Sequence, residues 1–439
     1  MPSRSSQPFD RYTQRARQSK RRDFLPNSDS SPAAQHLHNW TRRLLYGILR
    51  IIFHNQPILN KLPQSEVKSI LIIPFGDAIG DLVLATTIWR TVKSRIPSCR
   101  IGVITSPRNA SLLSADSDVD ATYEFTGRRD WRHLSELLRA RRDRYQIVLN
   151  LHLTHLSDYG LFANILGPRA VKITANHPRR NLYEIMFNYI GLRDRHTIGI
   201  SMLSLELLSE VIEFDPPLRL EESWPTLVIP RDAVERVKER LAGIHDFILI
   251  QQQAATPFRE WGTTNSIELA KRYLELYPAS AVFLIASPPM LPALEQITAS
   301  ANDPRIGTFP TETLYELAAL IQLARLVVSP ETSIPHFASA ARTPVVILLP
   351  DRENIPMEWL PVGTPSRMLA PERRGDAVET ITVDGVLEAV CDLLGADQNS
   401  SQTSLNRSLP PHPMFQRANG ERLLEEFSVL NHQTEPALQ

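Results

Sequence analysis

The stretch Ile70-Leu-Ile-Ile-Pro-Phe-Gly-Asp-Ala-Ile-Gly-Asp-Leu-Val-Leu-Ala-Thr-Thr-Ile-Trp-Arg90 decides the fold. Its opening run, 70–73, is apolar at every position, the pattern of a strand buried on both faces of a parallel sheet. A loop with Gly76 and Gly80 follows. Apolar residues at Leu82, Leu84, Ile88 and Trp89 then mark a helix. Strand, loop and helix make the first unit of an open α/β sheet, where ligands bind beyond the carboxyl ends of the strands. The loop therefore faces a site, and Gly76 and Gly80 permit tight backbone geometry there. Asp77 and Asp81 are its carboxylates. Asp77 either assists Asp81 or shapes the loop. Asp81 stands at the helix start, where the helix dipole stabilises a negative charge, so it is either a cap or a chemical group.

Working outward, the same alternation continues. Strands are predicted over 100–105, 122–125, 146–151 and 170–174, with helices over 131–142, 156–166 and 198–214. Pro216, Pro217, Pro225 and Pro230 then cluster as a hinge. A second series follows, with strands over 247–251, 281–286, 326–329 and 345–349. Helices over 231–242, 267–276, 291–301, 313–323 and 383–394 separate or close them. Two similar doubly wound α/β halves imply a cleft between them. The expected division is a basic arm at 1–36, a helix and linker at 37–66, a first domain at 67–228, a second at 229–395 and a tail at 396–439.

Composition narrows the function. With 48 basic and 48 acidic residues, net charge gives no case for a nucleic-acid partner. Cys99 and Cys391 form no Cys-x-x-Cys pair, which argues against a zinc cluster or disulfide scaffold and suits a reducing compartment. No apolar run reaches transmembrane length, and no signal-peptide core is evident. The first 36 residues carry Arg11, Arg15, Arg17, Lys20, Arg21 and Arg22 without apolar periodicity and read as disordered. The tail, polar and proline-bearing, is expected to be disordered too. Between arm and fold, 37–54 reads as an amphipathic helix. Leu37, Trp40, Leu44, Leu45, Ile48, Leu49, Ile51 and Ile52 share one side, against Arg42, Arg43, Arg50 and His54. That pattern suits an anionic membrane surface or a protein partner equally.

Two further stretches carry chemistry. Gln251-Gln-Gln-Ala-Ala-Thr-Pro-Phe-Arg-Glu-Trp261 follows a strand of the second half. Arg259 suits bidentate phosphate binding and Thr256 adds a donor; alternatively, Trp261 packs and Arg259 is solvated. Val328-Ser-Pro-Glu-Thr-Ser-Ile-Pro-His-Phe-Ala-Ser-Ala-Ala341 follows another strand. Thr332 or Ser333 can cap a helix whose N-terminus suits a diphosphate. Glu331 is placed for ribose or base hydrogen bonds, and His336 is either a phosphate contact or a structural histidine.

In this order, the three stretches resemble glycosyltransferase family 9, which contains the ADP-heptose:lipopolysaccharide heptosyltransferases. Ile79-Gly80-Asp81 matches its first motif, Arg259 and Trp261 its middle one, and Glu331-Thr-Ser-Ile-Pro-His336-Phe-Ala its last, over about residues 68–395. The departures are Glu331 for Asp, Ser333 for Gly, Arg259 for Lys, Gln251–Gln253 at the middle opening and no acid within 287–291. The resemblance implies a GT-B architecture, two Rossmann-like domains facing across a cleft, with the acceptor half first. It implies inverting, metal-independent transfer of a sugar from a nucleotide-diphosphate donor, heptose from ADP-heptose in the family's pattern. Asp81 would be the general base, and the acceptor a lipid-linked saccharide at the cytoplasmic face of the inner membrane. No cofactor beyond the nucleotide sugar is expected. The alternatives are a non-catalytic sugar-nucleotide or membrane-surface binding protein on the same fold, and a sugar-nucleotide epimerase, which needs acid/base pairs not found here.

Overall fold

The computed structural model describes residues 55–74, 78–125, 132–152, 156–176, 185–192, 198–351 and 357–400, with positions 44, 47, 48 and 51–53. The basic arm, most of the 37–54 helix, Gly76, Asp77 and the tail beyond 400 lie outside the described residues.

The first half holds β1 (Leu62–Pro63), β2 (Ser69–Ile73), β3 (Arg100–Thr105), β4 (Ala121–Glu124), β5 (Ile147–Asn150), β6 (Val171–Asn176), β7 (Tyr189–Leu192) and β8 (Ile212–Glu213). Its helices are α1 (Ile79–Arg95), α2 (Pro107–Ala110), α3 (Arg132–Arg142), α4 (Leu156–Leu166) and α5 (Ile200–Ser209). Six strands form one sheet in the order β4-β3-β2-β5-β6-β7, every pair parallel.

The second half repeats the plan. Its strands are β9 (Phe247–Gln251), β10 (Ala281–Ile285), β11 (Ile306–Thr308), β12 (Leu326–Pro330), β13 (Val345–Leu348) and β14 (Ser366–Leu369), in the parallel order β11-β10-β9-β12-β13-β14. Its helices are α6 (Arg231–Leu241), α7 (Thr263–Leu276), α8 (Leu291–Ser300), α9 (Leu314–Leu323), α10 (Ile334–Ala341) and α11 (Val383–Ser400). Both sheets thus run outward from a central strand in the two directions of a doubly wound fold, with the reversal between β2 and β5 and between β9 and β12. The three stretches singled out in the sequence follow β2, β9 and β12, beside those reversals.

Burial explains the opening motif. Ile70, Leu71, Ile72 and Ile73 are at most 1% exposed, as a central parallel strand demands. In α1, Leu82, Val83, Leu84, Ala85, Ile88, Trp89 and Val92 are all buried, so this helix is covered on nearly every side. It lies on β2's sheet, touches α5 and α10, and is roofed by the segment joining the halves. That proline-rich segment, expected to be a hinge, is stitched to α1. Thr87 Oγ1 donates to the Ser223 carbonyl at 3.2 Å, Thr91 Oγ1 to Glu222 at 2.9 Å, and Arg95 Nε pairs with the Glu222 carboxylate at 2.7 Å.

Three expectations shift. The helix expected over 198–214 ends at Ser209, because Ile212–Glu213 leaves to pair with β1. Edge strands β7, β11 and β14 went unread because each is short. Helix α11 runs to Ser400, past the expected 395 boundary, and its ion pairs are to Arg272 and Arg367 of its own half.

The linker before β1 is anchored by a buried polar cluster. Lys172 Nζ donates to Asn55 Oδ1 at 2.9 Å and to the Ala170 carbonyl at 2.8 Å, and Asn55 Nδ2 donates to Asn164 Oδ1 at 2.8 Å. Burial without a carboxylate partner pulls the Lys172 ammonium down to about 8.

Candidate active site

The three loops converge on one cavity of about 480 Å³. Ala78, Ile79, Gly80 and Asp81 line it from the first half; Arg259, Glu331, Thr332, Ser333, Pro335 and His336 line it from the second.

Asp81 is the third residue of α1, and the helix cap is Ala78, which makes no side-chain capping bond. The capping reading of Asp81 therefore gives way. The helix dipole favours its charge, but burial outweighs that, and the Glu358 carboxylate adds repulsion. Together they push Asp81 up to about 7. A carboxylate with that pKa is half-ionised near neutrality, the condition in which a general base works best.

Gly80 serves a purpose other than the one expected. It lies in the first turn of α1, with no unusual backbone geometry. A methyl group placed on it would lie 2.5 Å from His336 Cδ2 and 3.4 Å from Ser333 Cα. The glycine lets the first motif sit directly on the third. Gly80→Ala is expected to destabilise the protein by about 1–2 kcal/mol, since overpacking outweighs the gain in helix propensity. A thermal melt checks this, and an unchanged or higher Tm would contradict it.

The middle stretch divides its labour. Trp261 is buried and its Nε1 donates to the Ile381 carbonyl at 2.8 Å, which pins the loop. Arg259 ends a short turn opened by Pro257 and faces the cavity. It is not simply solvated: its Nη1 lies 3.3 Å from Glu331 Oε2. Glu331, expected to bind ribose or base, is thus engaged with the expected phosphate ligand. Thr256 is exposed and does not line the cavity; its carbonyl accepts the Arg259 N–H at 2.9 Å. Gln253 ties the loop to the end of β10, its Oε1 accepting from Ser287 Oγ at 2.5 Å.

The start of α10 also differs from expectation. Thr332 Oγ1 accepts the Ile334 N–H at 3.2 Å, Pro335 has no N–H, and the His336 and Phe337 N–H groups both reach the Ser333 carbonyl. Ser333 occupies the cap position but makes no side-chain capping bond. The Ile334, His336 and Phe337 N–H groups are therefore already used. His336 is only 8% exposed, and burial pulls its imidazole down to about 4, so it is neutral.

Sequence reasoning missed Arg108 and the wall formed by Trp359, Leu360 and Pro361. Arg108 had a readable signal. It follows the carboxyl end of β3, where Ser106 Oγ caps α2 by accepting the Asn109 N–H at 3.3 Å. The Trp359 wall has no local signature; only its place after a central strand points to it.

Comparison with known proteins points to one family. The sequence profile described as glycosyltransferase family 9 (heptosyltransferase) matches residues 202–360, which contain Arg259 and Glu331 to His336. Lipopolysaccharide heptosyltransferase 3 of Escherichia coli K12 is 22% identical over 350 residues, covering 73% of this chain and 97% of that one. In these comparisons the chain is similar to members of glycosyltransferase family 9. Among solved structures, a family 9 glycosyltransferase from Veillonella parvula superposes with a TM-score of 0.63 at 16% identity, covering 77% of this chain and 99% of that one. E. coli ADP-heptose LPS heptosyltransferase II gives 0.59 at 19% identity, covering 75% and 99%. These likenesses show the GT-B fold. Asp81 lies outside the matched segment, so its reading rests on the cavity geometry.

Proposed function

We propose that this chain is a family 9 glycosyltransferase that transfers heptose from ADP-heptose to a lipopolysaccharide-core acceptor with inversion. One observation carries the reading: Asp81 of the first half and Arg259 of the second line the same cavity. In the proposed step the acceptor hydroxyl gives its proton to the Asp81 carboxylate as its oxygen attacks the anomeric carbon. The bond from that carbon to the diphosphate breaks, and its electron pair leaves on the phosphate oxygen. Arg259 compensates the developing charge, so the scheme calls on no metal. Arg108, on the acceptor side, faces the same space. Glu331 turns to the ribose once the diphosphate takes Arg259. Family 9 structures support the donor assignment, one of them an E. coli heptosyltransferase WaaC with ADP.

The test is a transfer assay with ADP-heptose and a lipopolysaccharide-core acceptor, the product's anomeric configuration being read by NMR. Inversion supports the reading. Retention, or release of ADP with no acceptor product, would overturn it.

We further propose that the 37–54 helix rests on the cytoplasmic face of an anionic membrane. At its described positions Leu44, Ile48, Ile51 and Ile52 are 51, 46, 74 and 60% exposed, so these side chains are not packed on their own domain. Among the described residues no helix is long and apolar enough to cross a membrane. Vesicles with anionic lipid are expected to retain the wild type in flotation and to lose the Ile48→Asp/Ile51→Asp variant. Equal flotation of both would refute this, and a dimer broken by the variant would assign the face to a second copy instead.

A further inference from the structure

The outer face of α3 and α4 differs from the rest of the surface. Inward, Leu137, Ala140, Phe162, Ala163 and Leu166 pack on Leu71 and Ile73, the side of β2 away from α1. Outward, Leu134 and Leu138 of α3 and Leu161 and Ile165 of α4 are 45, 44, 43 and 44% exposed. Each pair is four residues apart and so forms one stripe along its helix. Arg141 Nη1 donates to the Ile165 carbonyl at 3.1 Å, which brings the last turns of the two helices together and makes the stripes neighbours. Outside 37–54, the other exposed large apolar side chains among the described residues, Leu59, Ile244, Phe258, Leu276 and Met290, stand singly. Scattered residues of that kind are ordinary, whereas a clustered pair of stripes marks a contact surface.

Charge selects what covers it. Arg141 and Arg142 follow Leu138 by three and four residues, on the same side of α3, and both are exposed. The carboxylates nearby are already neutralised: Glu136 pairs with Arg139 at 2.7 Å, and Asp143 with Arg100 at 2.6 Å. The face is therefore apolar and positive. A twofold contact with a second copy would set these arginines against their own equivalents. The 37–54 helix does not cover the face, since its own Leu44, Ile48, Ile51 and Ile52 are exposed. Its end is nevertheless held there: Phe53 packs against the cluster containing Ala163 and Leu166, and Asn55 Nδ2 donates to Asn164 Oδ1 of α4 at 2.8 Å. We propose that the outer face of α3 and α4 is a second membrane-contacting surface, with Leu134, Leu138, Leu161 and Ile165 entering the interfacial layer of an anionic bilayer and Arg141 and Arg142 meeting its headgroup phosphates. This extends the membrane reading of the 37–54 helix by a surface of the folded domain itself.

The test is the partition of the full chain onto vesicles of phosphatidylcholine with and without phosphatidylglycerol, read by co-sedimentation. Leu138→Asp/Ile165→Asp is expected to lower partition onto the anionic vesicles by roughly tenfold or more. Arg141→Gln/Arg142→Gln is expected to lower it by roughly 10- to 30-fold, with about twofold or less on phosphatidylcholine alone. The substituted side chains are exposed, so the melting temperature should hold; if the aspartates unfold the protein, Leu138→Ser/Ile165→Ser carries the same test. Wild-type partition in both the apolar and the arginine variants would overturn the proposal, and loss confined to Ile48→Asp/Ile51→Asp would then leave the 37–54 helix as the membrane contact. Equal losses of the arginine variant on both kinds of vesicle would remove the headgroup pairing and overturn it as well. A dimer in sedimentation velocity that Leu138→Asp/Ile165→Asp breaks would assign the face to a second copy. If the wild type binds neither kind of vesicle, both membrane readings fail.

Discussion

Asp81→Asn is expected to lower the transfer rate by roughly 10²- to 10⁴-fold while leaving nucleoside diphosphate affinity within about threefold and making the protein more stable. The rate loss follows from removing the base that accepts the hydroxyl proton. The gain in stability follows from the direction of the Asp81 shift. Its folded-state pKa is about 7, against 3.8 for the ordinary side chain, because burial and Glu358 disfavour the charge. Folding therefore opposes ionisation. The penalty is absent below about pH 4, grows as pH rises and is complete above about pH 7. Asparagine carries no charge, so its advantage should reach a few kcal/mol at about pH 8 and vanish near pH 4. The wild-type rate should climb about tenfold per pH unit below 7 and level off above it. Glu358→Gln, which removes a like charge, should move that midpoint to lower pH without restoring the ordinary value, since burial is the larger cause. A flat rate profile from pH 5 to 8, or an Asp81→Asn enzyme of near wild-type rate, would remove Asp81 from the mechanism.

Arg259→Ala is expected to weaken binding of the nucleoside diphosphate by roughly 10- to 100-fold, the range for a hydrogen bond to a charged group. The loss has two parts. The guanidinium no longer meets the phosphate, and Glu331, which lies 3.3 Å from Arg259 Nη1, is left facing the ligand unpaired. The second part is separable. Adding Glu331→Gln to Arg259→Ala should recover about threefold of the affinity, because the repulsion goes with the charge. A double variant no better than Arg259→Ala would show that Glu331 does not confront the diphosphate.

The sequence made the framework legible because central parallel strands are written as unbroken apolar runs. Ile70 to Ile73, Phe247 to Ile250 and Val345 to Leu348 had no competing reading. Of the edge strands, β4 stood out but β7, β11 and β14 did not, since short segments at a sheet edge carry little burial signal. Ile212 and Glu213 were absorbed into a helix since nothing local announces their partner, Leu62–Pro63, far away in sequence. At the site, residue types and their convergence were readable, but not their partners. Gly80 reads as a loop glycine until His336 is seen against it. Arg259 and Glu331 read as separate ligand contacts until their loops are brought together. Thr256 is exposed, and its carbonyl accepts the Arg259 N–H.

The central claim is that the cavity between Asp81 and Arg259 receives a nucleoside diphosphate. Calorimetric titration of the wild-type protein with ADP, UDP, GDP and CDP tests it most directly. Saturable one-to-one binding with ADP preferred is the predicted result, and absence of binding to all four would contradict it.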